Sequence, residues 1–76
     1  MEGMTRREVR ELVGARIRRL REARGLSRRE LTRLSDIPEL TIGMTEIGRM
    51  RIRFETLLCL ARALGVPVTK LLVRDE

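Results

Sequence analysis

"SRRELTRLSDIPELTIGMTEIG", residues 27–48, is the stretch on which the fold turns. Ser27 and Glu30 stand three apart, the spacing of a capping box, in which a hydroxyl and a carboxylate satisfy orphan backbone amides at a helix start. A short helix over roughly residues 28–34 follows from that signal. Pro38 suits the first turn of a next helix, where no amide donor is needed, and Gly48 is placed to close it. Two short helices joined by a tight turn are the outcome.

The same signals recur on both sides. Towards the N-terminus, Val9, Leu12, Val13, Ile17 and Leu20 recur at three- and four-residue steps, the period of a helix with one buried face. Thr5 and Glu8 repeat the capping-box spacing before them, and Gly25 is placed to end the helix, which spans roughly residues 5–24. Gly14 is a point of weakness or bending within it, so residues 1–12 read as an N-terminal arm or an extension of helix 1, and residues 13–76 as the domain proper. Towards the C-terminus, a helix over roughly 54–64 carries Phe54, Leu57, Leu58, Ala61 and Leu64 on one side and stops at Gly65. Pro67 opens a short last helix bearing Val68, Leu71 and Leu72. With no strand-like alternation and no repeat, the fold class is all-α: a compact five-helix bundle.

Composition narrows the function classes. Seventy-six residues make one domain, and a chain so short buries only about 60% of its unfolded surface, so the core is small. A 42% hydrophobic content is too high for a disordered tail. Phe54 is the single aromatic, which nearly excludes single-strand binding by base stacking. The net charge is +6, and all of the excess lies in the first half. Residues 1–33 hold eleven Arg against five Glu, whereas residues 34–76 hold five Arg and one Lys against six acids. Such a block suits phosphate or an acidic partner through attraction that carries no sequence information; the alternative is a solvated helix face in an arginine-rich chain.

With no histidine and one cysteine, the chain offers no metal-ligand cluster and no internal disulfide. Cys59 lies in an apolar helical run and reads as a small core residue. Without a glycine-rich phosphate loop either, enzyme chemistry and cofactors are not expected. No apolar run reaches the ~18 residues that span a membrane, and no signal peptide is visible, so a cytoplasmic protein is expected. A membrane-surface role for "RIRRLREAR", residues 16–24, conflicts with the need of helix 1's apolar face for the core.

Three segments taken together, "IRRLREARGLSRREL" (17–31), "EIGR" (46–49) and "FETLLCLARALGVPVTKLL" (54–72), resemble the Cro/C1-type (XRE-like) helix-turn-helix family. The resemblance runs from about Val13 to Val73 without a gap and is weakest in its middle. It implies a lambda-repressor-like fold in which helices 2 and 3 are the DNA-reading pair and helix 3 enters the major groove. It implies a repressor-like transcriptional regulator of double-stranded DNA acting as a homodimer, formed through Val66, Val68 and Leu72 or through the N-terminal arm. By the same resemblance, Ser27, Arg28 and Arg29 at the helix 2 start, and Arg49, Arg51 and Arg53 in the loop after helix 3, are phosphate contacts. For the three loop arginines the alternative is an ordinary exposed loop. Glu46 matches the glutamate of the family's E-x-G signature and Arg21 its arginine partner, which implies a structural ion pair between helices 1 and 3.

The resemblance leaves helix 3 anomalous. Its implied inward positions are Ile37, Ile42, Thr45 and Glu46, and its groove-facing side is Glu39, Leu40, Gly43, Met44 and Ile47, with Thr41 beside them. Guanine is read by Arg or Lys and adenine by Asn or Gln, and that side has none of them. Ile37, Leu40, Met44 and Ile47 form a core-like stripe of their own, and Thr45 stands where the family usually places a bulky apolar residue. Three readings are open. The domain binds DNA through its arginines, with thymine methyls on Leu40 or Met44 and a cytosine amine on Glu39. Alternatively, the apolar side binds a protein partner, as in an antitoxin or anti-repressor. In the third, helix 3 is rotated and buries the stripe.

Overall fold

The computed structural model describes residues 3–72, and among them the chain forms five helices: α1 (Arg6–Ala23), α2 (Arg28–Ser35), α3 (Glu39–Glu46), α4 (Phe54–Leu64) and α5 (Thr69–Leu72). Val73, the far end of the family resemblance, lies outside the described residues, as do the ends of the 1–12 and 13–76 divisions.

Both capping boxes are formed. Thr5 Oγ1 accepts from the Glu8 amide at 3.1 Å while the Glu8 carboxylate accepts from the Thr5 amide at 3.0 Å. Ser27 and Glu30 make the same pair of bonds at 3.0 and 2.8 Å. Gly25 and Gly65 end α1 and α4 at the expected places. Pro38 is the cap residue one position before α3, and its carbonyl accepts the first helical bond, from Ile42 at 3.0 Å.

α1 runs unbroken through Gly14, which is buried. The glycine serves packing: a β-carbon there would lie 2.8 Å from the Glu46 carbonyl oxygen and closer still to that of Thr45. Gly48 has the same function one turn of α1 earlier. It holds a left-handed φ of +72°, and a β-carbon on it would meet Glu11 Cγ at 2.7 Å. Two bare backbone positions thus let α1 lie directly on the end of α3.

Every helix contributes to one core. Val13 and Ile17 come from α1, Leu31 from α2, Ile42 from α3, Leu57, Leu60, Ala61 and Leu64 from α4, and Leu71 from α5. The inward face of α4 differs from the expected one. Phe54 and Leu58 are largely exposed, and Leu60 takes the buried position instead. Cys59, read as a core residue, is exposed as well, because the buried positions 57, 60, 61 and 64 put it on the opposite side of the helix. No helix is long and apolar enough to cross a membrane among the described residues.

Candidate nucleic-acid interface

The junction of α2 and α3 is made by three residues held from the α2 side. Ser35 Oγ donates to the Leu31 carbonyl at 2.7 Å and accepts from the Ile37 amide at 3.2 Å, so its hydroxyl stitches the turn to the last turn of α2. Asp36 takes the left-handed conformation at φ 62°, with its amide on the Thr32 carbonyl at 2.8 Å. Aspartate tolerates that region better than most residues because its short polar side chain bonds locally. Pro38 then fixes the direction in which α3 leaves.

α3 buries Ile42, Thr45 and Glu46. Leu40 is 77% exposed and Ile47 50% exposed, so the rotated packing that would bury the Leu40–Met44–Ile47 stripe is not adopted. Thr45, where the resemblance implies a bulky apolar residue, is buried, and its carbonyl lies against Gly14 of α1. Its hydroxyl faces the Met50 sulfur at 3.8 Å.

The buried side of α3 ends in a cluster of three charges. Arg21 Nε donates to Glu46 Oε2 at 2.7 Å and Arg21 Nη2 to Oε1 at 3.1 Å, a two-pronged bond that ties α1 to α3. Arg21 Nη1 also donates to the Leu26 carbonyl at 2.8 Å. The bond to Glu46 holds the Arg21 guanidinium still more firmly protonated than usual. Arg28, from the first position of α2, donates its Nε to Glu46 Oε1 at 3.2 Å. One carboxylate therefore serves two guanidinium groups, and the cluster keeps one net positive charge.

That charge emerges on the exposed side of α3. The Glu46 side chain is fully buried, whereas that of Arg28 is 41% exposed. To reach Glu46, Arg28 crosses α3 at Gly43 and forms one shallow cleft with Glu39, Leu40, Gly43, Met44 and Ile47. Thr41 is half-buried beside them.

Ile47 also borders a second cleft, in which Arg49 and Arg51 meet Arg7 and Arg10 of α1. Arg7 pairs loosely with Glu11 at 3.6 Å, both exposed, so four arginines face one acid there. The sequence singled out Arg49 and Arg51 but not their α1 neighbours. The available signal was the three-residue spacing of Arg7 and Arg10 on the flank of α1 that Gly48 touches, and it has no meaning until the α1–α3 contact is known. Ser27, Arg29 and Arg53 are exposed and line neither cleft. At the start of α2 the capping box uses the Ser27 and Glu30 amides, so an anion there would meet those of Arg28 and Arg29, with the Ser27 hydroxyl proton still available. Glu8 and Glu30 are both held below the usual glutamate range by the amide and hydroxyl bonds of their capping partners, Thr5 and Ser27.

The family described as "Helix-turn-helix domain" matches residues 12–72. The chain is 31% identical over 68 residues, 90% of its own length and 81% of the relative's, to control protein C.SmaI of Serratia marcescens. Among solved structures it is similar to the restriction-modification controller protein C.AhdI from Aeromonas hydrophila, with a TM-score of 0.79 and 34% identity, covering 82% of this chain and 94% of that one. It is also similar to the DNA-binding domain of BldD, with a TM-score of 0.80 and 30% identity, covering 92% and 100%.

Proposed function

The chain belongs to the helix-turn-helix domain family, as a DNA-binding transcriptional regulator of the XRE type, and from that premise we propose how it engages duplex DNA. α3 enters the major groove with Leu40, Gly43, Met44 and Ile47 towards the bases and Glu39 and Thr41 at its edges. Phosphates on one side are held at the α2 start by Ser27 and Arg29. On the other side they are held by Arg49, Arg51 and Arg53, joined by Arg7 and Arg10. Arg28 stands between the two sets, rooted at the α2 start but lying over α3. The domain works in the cytoplasm as a homodimer on two half-sites, repressor-like, joined through Val66, Val68 and Leu72 or through the N-terminal arm.

The observation that carries this reading is the exposed side of α3 flanked directly by the four-arginine cleft. Anisotropy titration of labelled duplex against salt tests it. If each protomer engages about three phosphates, the dimer's log K against log salt has a slope of about −5. Absence of duplex binding at low salt removes the proposal.

The 77% exposure of Leu40 beside the half-exposed Ile47 supports a second reading, in which this side also receives a protein partner of antitoxin or anti-repressor type. Leu40→Lys separates the two. It abolishes capture of such a partner while duplex binding through the arginines persists.

A further inference from the structure

Resting on the DNA reading above, we infer that Arg28 supplies the guanine-reading fork that α3 lacks, reaching the base edge across the bare surface of Gly43. The exposed side of α3 offers Glu39, Leu40, Thr41, Gly43, Met44 and Ile47, none of which presents two donors. Guanine shows two adjacent acceptors, O6 and N7, in the major groove, and a guanidinium matches them with parallel N–H groups.

Arg28 meets three conditions for that task. Its position is the first. Arg28 Cδ, Nε and Cζ each lie 3.9 Å from where a β-carbon of residue 43 would stand, so the side chain lies on α3 instead of extending beyond the tip of α2. An alanine methyl would just touch it, and a bulky side chain such as leucine would compete with it for the same space. No left-handed backbone angle or crowding by the backbone accounts for a glycine here, although glycine costs about 1 kcal/mol relative to alanine inside a helix.

Orientation is the second condition. The Arg28 Nε bond to Glu46 Oε1 fixes the guanidinium plane, and Glu46 is itself fixed by two bonds from Arg21. A fork already held in place loses less entropy on binding than a free arginine does. Availability is the third. Nε is the only donor of Arg28 that a hydrogen bond uses among the described residues, which leaves the four N–H groups of its two terminal nitrogens for a ligand. The shared carboxylate neutralises only one of the two arginines, so one net positive charge remains beside the partly exposed Arg28 side chain.

The experiment uses the full chain and selection of duplex sites from a randomised pool, followed by affinity measurements on the selected site. The wild-type chain selects guanine at one position in each half-site. Replacing that guanine with 7-deazaguanine, which lacks the N7 acceptor, weakens wild-type binding about 10- to 100-fold, the range of a good two-pronged base contact. Arg28→Met keeps much of the length but has no donor for guanine. It binds the guanine and 7-deazaguanine sites alike and has a salt slope within about one unit of wild type. Gly43→Leu, with Arg28 intact, loses the same discrimination by displacing the side chain, and circular dichroism verifies that both variants are folded. The inference is overturned if Arg28→Met retains the guanine preference, or if Arg28→Ala weakens every duplex equally. A wild-type chain that binds no duplex would sink the functional reading itself, a different result from binding whose base preference ignores residue 28.

Discussion

Gly14 of α1 and Thr45 of α3 meet backbone to backbone, with no room for a side-chain carbon between them. The contact sets how deeply α1 lies on the end of α3, and so places Arg21 where its guanidinium meets Glu46. Gly14→Ala improves the local helix propensity by about 1 kcal/mol, yet it forces a methyl group into two carbonyl oxygens. Overpacking of this kind costs about 1–3 kcal/mol, and here the obstacle is backbone, so the upper end applies. The net expectation is destabilisation by about 1–2 kcal/mol, seen as a drop in Tm of roughly 4–16 °C for a domain of this size. An unchanged or raised Tm would mean that the two helices separate without penalty.

The division between what the chain announces and what it conceals follows from range. Capping boxes at Thr5–Glu8 and Ser27–Glu30 are written within four residues, and both are formed. Helix ends at Gly25 and Gly65 are equally local. Phe54, Leu58 and Cys59 are exposed against the expectation because a helix that is apolar over most of its circumference does not tell which sector its neighbours will cover. Gly14 looked like a weak point because propensity counts only the glycine's own helix, whereas its function lies in the carbonyls of another. The unusual composition of α3 was visible at once. That Arg28 lies over Gly43, and that Arg7 and Arg10 join Arg49 and Arg51, depend on how whole helices cross, and no spacing within one helix encodes that.

Removing Glu46 tests the charge cluster. Its carboxylate is fully buried and accepts from Arg21 twice and from Arg28 once. Glu46→Ala leaves the nearly buried Arg21 without its counter-charge, and breaking one side of a buried pair costs about 3–5 kcal/mol. A domain of this length is stable by roughly 4–11 kcal/mol in all, so the variant approaches its unfolding threshold at room temperature. Glu46→Gln keeps the shape and one acceptor and falls between the two. Urea titration followed by circular dichroism gives the order, and a Glu46→Ala chain as stable as wild type would deny the cluster a structural role.

The arginines of the second cleft and the exposed residues of α3 should separate cleanly in binding assays. Arg49→Ala, Arg51→Ala and Arg10→Ala each remove one phosphate contact per protomer. Because the arginines share about three phosphates on each protomer, every duplex is then weakened alike, and a dimer's salt slope falls by up to about 2. Leu40→Ala leaves the slope untouched and shifts which sequences are preferred, because an apolar contact to a thymine methyl carries base information and releases no counterions. A salt slope that ignored all three arginines would place the DNA on another surface of the domain.

Acid should loosen the starts of α1 and α2. Glu8 and Glu30 are held below their ordinary range by the amides and hydroxyls of Thr5 and Ser27. A carboxylate of this kind takes up its proton less readily in the folded chain than in the unfolded one, so the unfolded state binds more protons as pH falls. The stability it contributes is therefore fully present above the unfolded glutamate value of about 4.3 and is lost as pH drops through the lower folded value. Both groups are exposed, so added salt mutes the effect. The check is the urea midpoint measured from pH 7 down to about pH 3. The wild-type midpoint holds level and then falls in the acid range, whereas Thr5→Ala combined with Ser27→Ala starts lower and falls less steeply, because the bonds that separate folded from unfolded titration are gone. Parallel curves for the two proteins would show that the capping carboxylates titrate alike in both states.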